Sequence, residues 1–511
     1  MRTENSLKNI SMSLINNFLI TLLKFLSRTI IIKVLGEVYL GVNGILSNVL
    51  GILALADLGI SNAISFCLYK PLINKEKEKI KSIMFFYKKI YFIIGTFVLI
   101  LGLILLPFLP FFVKEGSFIN GLYIYYLVFL INMVIGYYFS YRRTLIIADQ
   151  HEYKITPIII FTNILMNIFQ IIVLFIFKNY LVYLLVQTLF ILIENILVNR
   201  FVNKEYPYLN EKNIAKIDKK ELGEIKTNIK ALIFHKMGSY FVDSTDNIII
   251  SRYLGLATVG LYSNYFLITN TLGMFIGGAS RSITASLGNI NASCDTDKKY
   301  KVYKTVYFAN YVIFSICSVC LYNLFNLFIG DIWLGSKYLL SKEVVLLLSI
   351  VFYINGLMHM NESVKASAGL YDKDKYVPIF QSIINIVLSI ILVKLIGLPG
   401  VFVGTVISAL FVMIVKPIII YKYIFEKKVW SFYLDFIIKS LVFGLALYIS
   451  SLIINLDFIT NNYLAFIIYA IISVIVTLIV ITLFFHRQYE YQDFLERMKN
   501  IFNKFKSQRN K

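Results

Sequence analysis

Charged residues are scarce in this 511-residue sequence, at 15% of the chain, whereas hydrophobic residues make up 58%. Soluble domains carry about 25% charged residues, so too little charge is present here to cover a globular surface. Low counts of glycine (26), proline (8) and cysteine (4) exclude collagen-like, disordered and disulfide-scaffold classes. The composition therefore predicts a polytopic membrane protein.

Acidic residues are also few, 29 against 50 basic ones, which gives a net charge of +21. A nucleic-acid-binding protein gathers its basic residues on a soluble face, but here they lie in short segments between apolar stretches, so we expect no nucleic acid partner. The P-loop, HExxH and GxSxG patterns are missing. We therefore expect no catalytic residues, no metal site, no cofactor and no enzymatic activity.

Fourteen apolar stretches have the length of a membrane span, which needs about 20 residues. Lipid leaves unpaired backbone groups without partners, and these stretches lack the alternation of a barrel, so we predict an all-α fold. The spans lie near 10–32, 40–66, 90–112, 121–139, 156–177, 180–199, 231–250, 257–280, 305–329, 344–369, 377–393, 398–421, 435–456 and 462–485.

Lysine and arginine are distributed unequally between alternate loops. Of the 50 basic residues, 39 lie in the two termini and every second loop, seven lie in the opposite set, and four lie within spans. The positive-inside rule assigns the richer set to the cytoplasm, so both termini are predicted to be cytoplasmic.

A short pattern occurs twice in the chain. Gly36 and Gly41 follow an Ile-rich segment, and Gly255 and Gly260 follow a similar segment 219 residues later. Six spans separate the copies, so the two halves keep one orientation, which is the parallel-repeat arrangement of transporters. The alternative is a common tight helix–helix turn that occurs twice by chance.

These observations predict about 14 transmembrane helices, arranged as two parallel six-helix repeats around a central cleft plus two C-terminal helices. The predicted segments are an N-terminal lobe (1–203), a cytoplasmic linker (204–230), a C-terminal lobe (231–424), two extra helices (434–485) and a basic cytoplasmic tail (486–511).

Sharper motifs occur near the start of the chain: LGEVYLGVNG at 35–44, LADLGI at 55–60 and LYKPL at 68–72. Together they resemble the N-terminal signature of bacterial polysaccharide transporters, the O-antigen and capsule flippase branch of the multidrug/oligosaccharidyl-lipid/polysaccharide exporter superfamily. The stretch GLPGVFVGT at 397–405 is similar to the late glycine-rich span of that family. Where family members usually carry glutamate, this chain has Asp57, which keeps the acid and shortens its reach.

The resemblance implies a flippase that moves undecaprenyl-pyrophosphate-linked oligosaccharide across the bacterial cytoplasmic membrane by alternating access. It also implies Na⁺ or H⁺ as the coupling ion, membrane lipids as the surroundings, and a polysaccharide polymerase and chain-length regulator as pathway partners.

Charges inside spans are costly and call for a reason. Lys24 and Arg28 lie four residues apart on one face of the first span, where they are candidates to bind the pyrophosphate in the cleft. The alternative is that Lys24 extends to an interface and Arg28 pairs with an acid. Arg281, at the inner end of span eight, is either a further substrate ligand or a positive-inside anchor.

A polar stripe on span seven contains His235, Asp243 and Asp246. Paired carboxylates can raise one pKa into the working range, so the two aspartates, together with Asp57 in span two, are candidates for ion coupling or gating. Pairing with the cations of the first span, or pairing within one lobe, are the alternatives. His235 is a candidate polar residue of the cleft.

Span ten carries Asn355, His359, Glu362 and Lys365. Glu362 and Lys365 are three residues apart and could neutralise each other as an internal ion pair. The alternative is that this stripe supplies a second set of cleft contacts to sugar or phosphate.

Two other classes remain open at this point. A membrane-embedded polysaccharide polymerase or ligase would act on the same lipid donors, but such enzymes need a long outer loop, and the outer loops here are short. A drug/cation antiporter of the same fold is the second alternative, and the cationic pair in span one argues against it.

Overall fold

The computed structural model of the chain describes residues 2–53, 60–114, 119–211, 245–293, 296–368, 370, 373–455 and 459–509. These residues form helices joined by short turns, and they include no strand. The helices are α1 (Arg2–Leu35), α2 (Glu37–Leu53), α3 (Ile60–Asn74), α4 (Lys77–Leu105), α5 (Leu122–Ala148), α6 (Thr156–Phe177), α7 (Tyr180–Glu205), α8 (245–254), α9 (Leu256–Ser293), α10 (Thr296–Asn326), α11 (Lys342–Ser367), α12 (Val377–Ile396), α13 (Leu398–Ile420), α14 (Trp430–Ile454), α15 (Asn462–Phe485) and α16 (Tyr489–Arg509).

Ten segments of the described chain are long and apolar enough to cross a membrane, and each overlaps one of the predicted spans. The other four predicted spans fall on α1, on α2 and α3 with the undescribed residues 54–59 between them, on α8 with the undescribed residues before it, and on α9. The structure thus confirms an all-helical, multi-pass membrane fold.

Helix ends extend beyond the apolar stretches. The predicted loop at 67–89 is a two-residue turn at Lys75 and Glu76, because α3 continues to Asn74 and α4 begins at Lys77. A helix satisfies its backbone hydrogen bonds internally whether it is in lipid or in water, so its charged turns can leave the membrane without unwinding. Hydropathy marks the apolar part of a helix and misses the ends of the helix.

The described chain divides into two compact units, Met1–Ser263 and Asn264–Lys511. In unit 1, α5 packs against α4 and α7, and α6 packs against α7 and α1. In unit 2, α10 packs against α11, α14, α15 and α16, and α13 packs against α11 and α12. The predicted linker lies mostly outside the described residues, and the predicted lobe boundaries stay a prediction.

The two copies of the repeat have the same turn geometry. Gly36 ends α1 with a φ of +94°, and Gly255 ends α8 with a φ of +99°, which favours glycine. The amide of Gly36 donates to the carbonyl oxygens of Ile31 and Ile32, at 3.2 and 3.0 Å. The amide of Gly255 donates to Ile250 and Ser251, the residues 219 positions later, at 3.1 and 3.2 Å.

The second glycine of each copy allows a close helix contact within unit 1. A Cβ atom on Gly41 would overlap the carbonyl of Leu256, and a Cβ atom on Gly260 would overlap the carbonyl of Glu37. The offset of 219 maps Gly41 onto Gly260 and Glu37 onto Leu256, so the contact is reciprocal. Such a contact has the form of an isologous interface, with one surface used twice.

Candidate functional site

Lys24 and Arg28, the two candidates to bind the pyrophosphate, lie on α1 in unit 1. The Lys24 side chain is exposed, whereas Arg28, one turn later, is half-buried beside Tyr183 of α7. The neighbouring Ser27 is buried and donates a hydrogen bond to the Asn167 side chain of α6 at 3.0 Å. This end of α1 is therefore held against α6 and α7 by neutral polar groups.

A cluster of four tyrosines lies next to Arg28. Tyr180 is buried, and its ring centroid is 5.0 Å from Tyr39, 5.0 Å from Tyr125 and 5.8 Å from Tyr183. Edge and stacked contacts of this kind fix aromatic rings in place. The cluster gives Arg28 a rigid neighbour, and a guanidinium held in a fixed orientation can bind phosphate oxygens in a bidentate manner.

The predicted coupling acids are only partly described. Asp246 is buried on α8, with 8% of its surface exposed. Asp57, Asp243 and His235 lie outside the described residues. Arg281 is on α9, in a part of the helix whose side chains are not described. The roles predicted for these residues stay predictions.

The polar stripe of α11 lies in unit 2. Asn355 and His359 are exposed, and Glu362 is half-buried three residues after His359. The three residues share one helical face because they are four and three positions apart. Glu362 and Lys365 of this stripe are joined by an ion pair with an N–O distance of 2.7 Å.

The ion pair is part of a larger network. Lys365, with 1% of its side chain exposed, also contacts the fully buried Asp374, and Lys416 of α13 binds the second oxygen of Glu362 at 2.6 Å. Two lysines and two carboxylates therefore neutralise one another. Removing either partner of a buried pair leaves an uncompensated charge and is strongly destabilising. This network joins α11, α13 and the turn before α12.

A second buried lysine in unit 2 is surrounded by aromatic rings. Lys439 of α14 pairs with Asp435 one turn earlier and has 2% of its surface exposed. Its ammonium lies 5.5 Å from the ring centre of Tyr307 and 5.8 Å from three further rings, a distance at which cation–π attraction is significant. Those three rings are Phe308, Tyr311 and Phe485.

Sequence reasoning missed Asp374, Lys416, Asp435 and Lys439. The two lysines were counted among the basic residues of the cytoplasmic loops, because each lies near the edge of an apolar stretch, and the two aspartates were not singled out. Asp374 lies between Lys373 and Lys375. Nothing in this short sequence indicates that the aspartate is buried while the two lysines are exposed. Only tertiary contacts distinguish them.

No family model matches the sequence, and no curated protein matches it. Its fold is that of known transporters. MurJ, a lipid II flippase in an inward closed conformation, aligns with a TM-score of 0.66 at 16% identity, over 93% of this chain and 99% of its own. A multidrug resistance MATE family transporter of the MOP superfamily, in an inward-facing conformation, aligns with a TM-score of 0.62 at 16% identity, over 78% and 92%.

A mutant form of the Vibrio cholerae MATE transporter VcmN aligns with a TM-score of 0.56 at 11% identity, over 83% of this chain and 99% of its own. At these identities the likeness establishes the fold. The chain is a multi-pass membrane protein with the fold of MOP superfamily transporters.

Proposed function

We propose that the chain is a flippase that translocates undecaprenyl-pyrophosphate-linked oligosaccharide across the bacterial cytoplasmic membrane for the synthesis of surface polysaccharide. The observation that carries the proposal is the pair of cations on α1, with Lys24 exposed and Arg28 held beside Tyr183. Two cations at fixed positions offset the charge of a pyrophosphate that must leave water.

Two further observations support this choice of substrate. The motifs at 35–44, 55–60 and 68–72 resemble those of lipid-linked oligosaccharide flippases. A lipid II flippase is among the proteins that share the fold over nearly the whole chain. In the proposed orientation both termini are cytoplasmic, and a polymerase and chain-length regulator receive the translocated substrate.

The proposed mechanism is alternating access coupled to a Na⁺ or H⁺ gradient. Asp246, which is buried in α8, is the candidate for ion coupling among the residues that the structure describes. Asp57 and Asp243 are further candidates. Desolvation raises the pKa of a carboxyl group, and a bound cation lowers it, so a buried acid can exchange one ion for another. Arg281, His235 and the stripe of Asn355 and His359 are proposed to contact the substrate headgroup.

A flip assay in reconstituted vesicles tests the proposal. Purified protein receives a pyrophosphate-linked oligosaccharide lipid on one side, and an added glycosidase reports headgroups that reach the other side, with and without an ion gradient. We expect protein-dependent, gradient-sensitive exposure of intact lipid-linked sugar. Lengthened glycans would instead identify a polymerase, and gradient-driven export of organic cations without lipid movement would identify an antiporter.

The cationic pair supplies the residue-level test. Lys24→Gln and Arg28→Gln should each slow flipping by about tenfold or more, since each removes a charge-assisted contact. Lys33→Gln is the matched control, because Lys33 is an exposed cation in the last turn of the same helix and is not one of the two proposed ligands. If the double variant flips as fast as the control, the cations do not hold the pyrophosphate.

A further inference from the structure

A cavity of about 370 Å³ lies within unit 2, beside the buried Lys439. Its walls come from the first turns of α10 and α14, the segment after α13, and the turn between α15 and α16. Its size lies within the range of small-molecule sites in proteins. Six aromatic rings line it, those of Tyr300, Tyr303, Tyr307, Tyr421, Phe432 and Tyr489.

The charges in the cavity are already balanced. Lys439 pairs with Asp435, and Lys304 pairs with Glu490, so the four charged side chains that line it form two ion pairs. A ligand with a net charge, or with separate positive and negative groups, would have to break one of these pairs. Because the loss of a partner from a buried pair is strongly destabilising, a neutral ligand is favoured.

Polar groups remain available to such a ligand. Asp435 uses one carboxylate oxygen for Lys439, and within the described chain its second oxygen accepts no hydrogen bond. Lys304 has three donors, of which the contact with Glu490 uses one. The side chain of Gln488 also lines the cavity and supplies both a donor and an acceptor.

We infer that this cavity is a sugar site, which binds a neutral monosaccharide unit by packing its C–H face on the aromatic rings and bonding its hydroxyls to Asp435, Lys304 and Gln488. A pyranose ring combines an apolar face with a rim of hydroxyl groups, and the cavity offers aromatic faces and uncommitted polar atoms in the same place. The lining segments carry many of the basic residues assigned to the cytoplasmic side. In so far as the sugar belongs to the transported lipid, this inference rests on the proposed function.

Tryptophan fluorescence provides a direct binding assay. The chain has two tryptophans, and Trp430 begins α14 immediately before the cavity residues Ser431 and Phe432. A Trp333→Phe variant therefore leaves a single reporter beside the cavity. Free glucose, galactose and N-acetylglucosamine, added to the purified full-length protein, should each be tested for a saturable change in Trp430 emission.

Two pairs of variants test whether the change in Trp430 emission comes from sugar bound in the cavity. Gln488→Ala should weaken sugar binding about fivefold, whereas Gln492→Ala, one turn later on α16 and not a cavity residue, should leave it unchanged. Tyr489→Ala should weaken binding by a similar factor, whereas Tyr463→Ala should not. Both tyrosines are more than half exposed, at 52% and 67%, so neither change disturbs the core.

The outcomes separate this inference from the proposed function. A response to phosphatidylethanolamine vesicles and to no sugar would overturn it in favour of a lipid headgroup site, and no response to any probe would also overturn it. The assay uses no gradient and no transport. Sugar binding by a protein that fails to flip lipid would therefore refute the proposed function alone, and flipping without sugar binding would refute the sugar site alone.

Discussion

The two cations of α1 and the buried lysines of unit 2 have different surroundings. In unit 2, Lys365 and Lys439 are almost fully buried, and each is paired with a carboxylate. In unit 1, Lys24 is exposed, and Arg28 is half-buried beside Tyr183. A lysine buried in the protein needs a fixed counter-charge, because desolvation of its ammonium group is costly. The buried lysines are thus held by carboxylates of unit 2, whereas the cations of α1 are the ones that we propose to contact the anionic substrate.

Removal of the charge on Lys365 should give the largest effect. Lys365→Met leaves the fully buried Asp374 without its cation and should destabilise the protein by about 3–5 kcal/mol. Thermal unfolding of the purified protein measures this change. Lys375→Met, next to Asp374 but exposed, should have little effect.

The double change Lys365→Met with Asp374→Leu sharpens the test. Replacing both partners by apolar groups should recover most of the lost stability, because no uncompensated charge remains. If the double variant were no more stable than Lys365→Met, the ion pair would not be the cause.

The reciprocal glycines of unit 1 should give the next largest effect. Gly41→Leu and Gly260→Leu each place side-chain atoms on a backbone carbonyl, and overpacking of this kind costs about 1–3 kcal/mol or more. Because the contact is reciprocal, the two variants should lose similar stability. Gly136→Ala in α5, where nothing lies within 4 Å of an added Cβ, is the control. Unequal losses would contradict the symmetry of the contact.

Arg28→Gln should separate function from stability. We expect its unfolding temperature to stay close to that of the unchanged protein, with a loss of less than about 1 kcal/mol, because Arg28 is half-buried and glutamine keeps polar contacts. The same variant should slow flipping. A fall in stability as large as that of Lys365→Met would show that Arg28 and the buried lysines of unit 2 do not differ in the way we describe.

The smallest effect concerns the contact of α16 with α10. Burial raises the pKa of Glu490, but its hydrogen bond with Lys304, supported by the charges of Lys304 and Lys439, outweighs burial and holds that pKa below its ordinary value of 4.5. The group therefore stabilises the contact fully above the ordinary pKa, and this stabilisation is lost as the pH falls through the lowered value.

Hydrogen exchange of the α16 amides at pH 6 and at pH 3, corrected for intrinsic rates, measures this loss. Protection should fall at the lower pH, and Glu490→Gln should show weak protection at both. Glu496→Gln, at an exposed position of α16, should behave like the unchanged protein. Equal protection at both pH values in the unchanged protein would exclude a role for the Glu490 charge.

Local sequence patterns predicted much of the fold. Apolar stretches of about 20 residues located the spans, since the bilayer excludes unpaired backbone groups wherever the chain crosses it. The two glycine pairs 219 residues apart predicted turns of equal geometry, because a φ near +95° favours glycine. The spacing of Glu362 and Lys365 predicted their ion pair in the same way, since residues three apart share a helical face.

Such local patterns did not predict the contacts between distant segments. Asp374 and Lys416 complete the network of Lys365 and Glu362 only because α13 and the turn before α12 pack against α11. Lys439 was counted as a cytoplasmic loop charge, and its aromatic neighbours come from α10 and α15. Neither the burial of these charges nor the cavity beside Lys439 can be predicted from the sequence of any one segment.

The sequence by itself determined that this chain crosses the membrane many times as helices, that it carries a repeated turn, and that cations stand on α1. These features depend on periodicity, hydropathy and single-residue conformation, which act within a few turns of one helix. The tertiary structure alone decided which charges are buried, which glycines meet a carbonyl of another helix, and where aromatic rings enclose a cavity. Those outcomes depend on which helices become neighbours, and that choice is made by packing over the whole unit.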